Sequence, residues 1–160
     1  MDSQTVQSKY VVFENDSYII KTEEVTTKPG ANQVVVKMAY STCNPYDKIC
    51  FNVFKDNGFR LGGEGCGTVI AIGEGVDASL LNKKVAFTTA GCWSQYRVFD
   101  LNEVHLMVLD DSIDLKKAAA ASINPLTAIG QLDMIREKGT KAFVANAAAS
   151  NLNRQLLLLT

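Results

Sequence analysis

A phosphate-holding turn is the first chemistry the sequence suggests. The run Thr68 to Ile72 leads into Gly73-Glu74-Gly75-Val76-Asp77-Ala78, a Gly-x-Gly-x-x-Ala spacing. Such glycines let backbone approach a pyrophosphate, and a following helix aims free N–H groups at it. That chemistry needs the helix. Only Ser79 to Lys84 stand before the next strand-like run, Val85-Ala86-Phe87-Thr88-Thr89, where a crossover needs about a dozen residues or more. The strand that follows, Val85 to Thr89, ends in no acidic residue. The stretch reads instead as a β-turn in which Gly73 and Gly75 supply positive φ.

A second candidate turn lies later. Lys141 to Asn146 reads as a buried strand and Asn151 to Thr160 as a helix. Between them Ala147-Ala148-Ala149-Ser150-Asn151-Leu152-Asn153 occupies the position of a nucleotide turn without its glycines. Alanine fits a close turn, but Asn153 where the third glycine belongs hinders close approach. Two readings stay open, a cofactor turn and an ordinary strand-to-helix turn. Ala149, Ser150 and Leu152 are the candidate cofactor contacts.

Other reactive side chains are few. Cys43, Cys50, Cys66 and Cys92 contain no C-x-x-C pair, so the usual structural zinc spacing is absent. They are expected to be buried or inert thiols in a reducing compartment. His105, the single histidine, sits beside Leu106 and Val108 and is expected to be structural. The 160 residues are 47% hydrophobic and 21% charged with a formal net charge of −1, as in a globular domain with a core of its own. No basic patch suggests nucleic acid. No apolar run is long enough to span a membrane, and the first residues carry no secretory pattern. The expected location is the cytoplasm or an organelle.

The elements that position these residues change along the chain. Lys9 to Glu14 and Ser17 to Thr22 flank the turn Asn15-Asp16. Gln33 to Tyr40, Gly65 to Ile72, Lys84 to Thr88 and Trp93 to Asp100 complete a set of short strands between turn residues, which suggests a barrel or sandwich. Asn44-Pro45-Tyr46-Asp47 opens a short helix, with Asn44 as cap and Pro45 first. From Asp114 onward the texture is helical. Asn124-Pro125 repeats the cap-plus-proline signal, Leu126, Ile129, Leu132 and Ile135 follow at three-residue spacing, and Gly139 ends the helix.

Four segments in order carry a resemblance. Cys43-Asn44-Pro45-Tyr46-Asp47 is similar to N-P-x-D. Gly62-Gly63-Glu64-Gly65-Cys66-Gly67-Thr68-Val69, running on to Val76, is similar to G-x-E-x-x-G-x-V and V-G-x-x-V. Gly91-Cys92-Trp93-Ser94-Gln95-Tyr96 is similar to G-x-(aromatic)-A-E-Y, and Asn124-Pro125-Leu126-Thr127-Ala128 to N-P-L-T-A. The chain resembles the medium-chain dehydrogenase/reductase superfamily, in its zinc-independent quinone oxidoreductase-like branch. The resemblance implies a mixed β and α fold: a GroES-like β-barrel domain over residues 1–123 and the start of an incomplete Rossmann cofactor-binding domain over 124–160, the barrel strands being followed by two helices and then the first β–α unit.

It also implies a chemistry. Zinc-dependent relatives carry a Cys where this chain has Asn44 and a His where it has Gly63, so no zinc is expected. NADPH is the implied hydride donor, with a small carbonyl, alkene or quinone as substrate. Asn44 and Thr127 are the implied catalytic and nicotinamide-lining residues, Asn44 donating a hydrogen bond to developing oxygen charge and Thr127 bonding near the carboxamide. A homodimer, or another partner, is expected to cover residues 141–160. The 160 residues by themselves are expected to be inactive and to bind NADPH weakly or not at all. The alternative is a truncated, non-catalytic relative serving as a binding or scaffold module in an assembly.

Overall fold

In the structure, a computed structural model, residues 4–15, 17–47, 49 and 58–160 are described. Asp16 of the first hairpin turn and Cys50 therefore lie outside the described residues. The chain divides into two units, Met1–Ala119 and Ala120–Thr160.

The first unit holds two antiparallel sheets. β1 (Thr5–Glu14) pairs β2 (Ser17–Thr26) in a register that sets Glu14 opposite Ser17. Asn15 takes φ 49° in the tight turn between them, a conformation asparagine tolerates better than most residues. β4 (Phe59–Arg60) extends this sheet on the far side of β1. The second sheet runs β7-β3-β5-β6-β8: β3 is Gln33–Ser41, β5 Glu64–Ile72, β6 Lys84–Thr88, β7 Tyr96–Asp100 and β8 Met107–Val108. The residues leading into β7 join the two sheets. Val11 N–H donates to Trp93 O at 2.9 Å, and Gln95 N–H to Lys9 O at 2.9 Å. Fully buried Ser8 donates to Tyr96 O and accepts from Tyr96 N–H. The expected barrel-like wrap rests on these bonds.

Alternation along β6 shows how the second sheet contributes to two cores. Val85 and Phe87 face one core with Val34, Val36, Val69, Cys92 and Phe99. Ala86 faces the other, with Cys66, Leu109, Ala118 and Ala119. Successive side chains on a strand point to opposite faces, and here both faces are covered. The second is covered by α1 (Leu115–Ala118), whose cap Asp114 accepts the Lys116 N–H at 2.9 Å.

The glycine stretch after β5 is a turn, with a correction. Only Gly75 has positive φ, 81°. Gly73 is required by space: a Cβ there would stand 1.7 Å from the carbonyl oxygen of Gly30. Its N–H donates to Gln33 O, and Asn32 N–H donates to Glu74 O, both at 2.8 Å. The chain then makes one 3-10 turn, Ala78–Leu80, with no helix to hold a phosphate.

The second unit contains α2 (Ile123–Glu137) and α3 (Asn151–Leu159), packed through Ala128, Leu132 and Leu156 with Leu152 and Ile135 against them. α2 begins earlier than expected. Pro125 is its third residue, and Ser122 rather than Asn124 precedes it without a side-chain cap bond. First-turn N–H groups have no intrahelical partner, so proline removes nothing there. Three-residue steps drift around a 3.6-residue helix, which leaves Leu126 and Ile129 exposed while Leu132 is buried. Gly139, at φ 59°, ends the helix as expected. The expected strand at 141–146 joins no sheet among the described residues. A strand exists through its ladder, and no described strand pairs with it. Val144 stands fully exposed. Among the described residues no helix is long and apolar enough to cross a membrane.

Candidate functional site

Where β3 ends and β5 begins, a buried acid organises the first unit. Glu64, the first residue of β5, has 0% of its surface exposed. Its carboxylate oxygen Oε1 accepts from Thr42 Oγ1 at 3.0 Å and from Asn44 Nδ2 at 2.9 Å. Asn44 Nδ2 also donates to Thr42 Oγ1 at 2.9 Å, which closes a three-membered ring of side chains. Backbone anchors hold the ring. Ser41 Oγ donates to Glu64 O at 2.6 Å, and Trp93 Nε1 to Thr42 O at 2.8 Å. The buried Asp47 carboxylate accepts Asn44 N–H at 2.7 Å, while Asp47 N–H donates back to Asn44 O at 3.0 Å.

This changes the reading of Asn44 as a helix cap. Residues 45–47 are helical, but the capping bond runs from Asp47 back to Asn44, and the Asn44 side chain turns to Glu64 instead. Its amide nitrogen donates to both Thr42 and Glu64. Cys43, expected among buried thiols, is exposed; one step along an extended chain reverses the side chain, so Asn44 turns in and Cys43 out. Beside the ring a recess of about 180 Å3 is lined by residues that include Tyr46, Asp47, Arg60, Gly62, Thr88 and Ala90. Arg60 forms a bidentate pair with Glu23 and stacks 4.0 Å over the Tyr10 ring; the Glu23 hydrogen bond holds its guanidinium more firmly protonated than usual.

Cys92 adjoins this cluster. Burial pushes its thiol up to about 12, and the nearby Glu64 and Asp47 carboxylates act in the same direction against Arg97. Its Sγ donates to Thr89 O at 3.1 Å. A thiol so placed is not a nucleophile at neutral pH. His105 is exposed and stands apart from the ring's hydrogen bonds. Among the described residues no three His, Cys, Asp or Glu side chains are grouped to hold a metal.

The remaining expected site residues lie in the second unit. Thr127 is exposed on α2, its Oγ1 donating to Ile123 O at 2.7 Å. Ser150 caps α3, its Oγ accepting Asn153 N–H at 3.3 Å. Ala149 is exposed in the turn before it, while Leu152 packs toward Leu156 and Leu132. Asn153 folds back over the turn: its Nδ2 reaches Asn146 O at 2.7 Å and Ala147 O at 3.2 Å. A phosphate therefore meets half a cradle. The N–H groups of Asn151 and Leu152 are free as the first two of a helix, while the amide of Asn153 fills the place a glycine would leave open.

Sequence reading singled out Asn44 but missed Glu64, Thr42 and Trp93. The available signal was a lone acid in the otherwise small and apolar run Gly62 to Ile72.

Residues 30–108 match the alcohol dehydrogenase GroES-like domain. The chain is similar to the mitochondrial enoyl-(acyl-carrier-protein) reductase of Bos taurus, 30% identical over 138 residues, which cover 80% of this chain and 36% of the bovine one. Its fold is shared with a candidate NADPH:quinone reductase of Mesorhizobium loti at TM-score 0.72 and 28% identity, covering 99% of this chain and 52% of that one. It is shared also with the Escherichia coli quinone oxidoreductase solved in complex with NADPH, at TM-score 0.61 and 18% identity, over 83% and 41% of the two chains. The chain thus spans about half or less of the length of these relatives. Its GroES-like domain, its whole-length structural match and the four ordered motifs have one account: the chain belongs to the medium-chain dehydrogenase/reductase superfamily, in its quinone oxidoreductase-like branch.

Proposed function

We propose that this chain forms the substrate side of an NADPH-dependent oxidoreductase that reduces a quinone or an activated alkene without zinc. The observation that carries this reading is the match along 99% of the chain to the Mesorhizobium loti protein at 28% identity. Residues 1–123 are then the barrel domain and 124–160 the opening of the cofactor domain. NADPH, when bound, supplies the hydride. The chain's own residues bind and orient. The recess beside Tyr46 and Thr88 receives the substrate. The resemblance assigns Asn44 of the first unit and, separately, Thr127 of the second to the nicotinamide; the Thr127 hydroxyl hydrogen is engaged by Ile123 O, so its oxygen accepts from a carboxamide N–H. Ala149, Ser150 and Leu152 border the phosphates, with the free N–H of Leu152 as donor.

Zinc has no ligand set at the expected place. Gly63 has no side chain, and the Asn44 amide nitrogen, a poor ligand in any case, faces Glu64. Catalytic zinc takes about three protein ligands. Residues 141–160, with Val144, Leu157 and Leu158 exposed, are the surface that a second copy or another partner covers.

One observation favours a second reading. The closure of the 146–153 turn by Asn153 suits a non-catalytic relative used as a scaffold or binding module. NADPH oxidation by the natural full-length protein, with a benzoquinone or an enoyl thioester as acceptor, separates the two. Saturable oxidation with either acceptor supports the enzyme. Absence of both NADPH binding and turnover leaves the scaffold.

A further inference from the structure

We propose that Glu64 is a positioning residue: its buried carboxylate fixes the orientation of the Asn44 amide, so that Asn44 presents an acceptor, Oδ1, to its ligand rather than a donor. The ligand class that fits is an N–H or O–H donor at the nicotinamide end of the nucleotide, either the carboxamide or a ribose hydroxyl. This second half rests on the NADPH reading above.

The hydrogen count carries the argument. A carboxylate has no hydrogen to share, a hydroxyl has one, and an amide nitrogen has two. Thr42 Oγ1 gives its hydrogen to Glu64 Oε1 at 3.0 Å, so it can only accept from Asn44. Asn44 Nδ2 supplies both remaining bonds, 2.9 Å to Thr42 Oγ1 and 2.9 Å to Glu64 Oε1. A flipped amide would set Oδ1 against Oε1 at that distance, two acceptors facing each other in a dry site where an unmade bond is costly. The ring therefore has one consistent arrangement. In it the amide nitrogen faces Thr42 and Glu64, and Oδ1 has no partner among the described residues. Asp47 holds the Asn44 backbone N–H at 2.7 Å and so fixes the point from which the side chain reaches the ring. An oxygen charge developing on a substrate would meet the carbonyl of Asn44, which repels it. A donor meets its complement.

Two arms test this on the natural full-length protein. In the first, asparagine is labelled with nitrogen-15 and the Asn44 side-chain amide is followed by NMR. The pair is slow to exchange with solvent in the wild type. It stays slow in Glu64→Gln, whose carbonyl oxygen still accepts, and becomes fast in Glu64→Ala. Should Glu64→Ala fail to fold, Glu64→Leu fills the space without an acceptor and replaces it. Protection unchanged in both acceptor-free variants overturns the positioning role. In the second arm, NADPH and its 3-acetylpyridine analogue, which lacks the carboxamide N–H, are titrated against wild type and Asn44→Ala. A preference for NADPH of about ten-fold that Asn44→Ala erases assigns the carboxamide. Equal binding of the two by wild type, with about ten-fold loss of both in Asn44→Ala, assigns a ribose hydroxyl. Binding that Asn44→Ala leaves unchanged overturns the acceptor role. A wild type that binds no NADPH removes the acceptor role together with the cofactor reading, while the first arm still decides Glu64.

Discussion

Cys66 and Cys92 have 0% and 2% of their surface exposed, and each donates its S–H to a backbone carbonyl, Leu115 O and Thr89 O. Burial pushes both thiols up, Cys92 from 9.0 to about 12. The folded chain therefore keeps a proton on Cys92 that the unfolded chain releases above about pH 9. Stability from this group is complete below that pH and is lost as pH rises toward 12. The melting temperature of the wild type should fall more steeply across that window than that of Cys92→Ala. Alkylation of the native protein near neutral pH, mapped by peptide mass spectrometry, should mark exposed Cys43 and spare Cys66 and Cys92; rapid marking of Cys92 would contradict the burial. At this scale Asn44 and Gly63 were legible, because motif positions name them. Glu64 was visible only as a letter of the G-x-E motif; its role was not, because it depends on Thr42, 22 residues away in sequence, and a pattern read along the chain does not report which side chains meet across it.

The strands followed their alternation closely, and Lys84–Thr88 fell where the sequence places it. What sequence could not supply was pairing. The order β7-β3-β5-β6-β8 joins segments distant in sequence, and the closure onto β1 runs through Trp93 and Gln95, outside any strand. Gly73 shows the same limit. Its type was read as a need for positive φ, but the Gly30 carbonyl 1.7 Å from its missing Cβ is the cause. Gly73→Ala should then destabilise the first unit by about 1–3 kcal/mol, since the contact is with backbone that must move. Denaturant unfolding measures this, and a change below about 0.5 kcal/mol, as at ordinary surface positions, would show the turn to be free. The segment 141–146 failed as a strand for the complementary reason: its apolar pattern is that of a sheet interior, and no neighbouring strand is described.

For the molecule as a whole, the GroES-like match over residues 30–108 and the shared fold place the barrel in an oxidoreductase superfamily. At Asn44 and Gly63, where the resemblance implies ligands in zinc-dependent relatives, this chain has an amide and no side chain. The second unit supplies Thr127 and a turn that Ser150 and Asn153 close in part. This division matches what was legible. Fold class and family come from patterns that extend over the chain, whereas the state of the nucleotide turn depends on where one amide folds. The proposed reaction is reduction by NADPH with no metal ion in the chemistry. Its direct test is NADPH oxidation by the natural full-length protein, with quinone as acceptor, before and after exhaustive dialysis against a chelator, with metal content measured on the same samples. The account predicts turnover that survives dialysis unchanged at a zinc content far below one per chain. Turnover that disappears with the metal and returns when zinc is restored would contradict it.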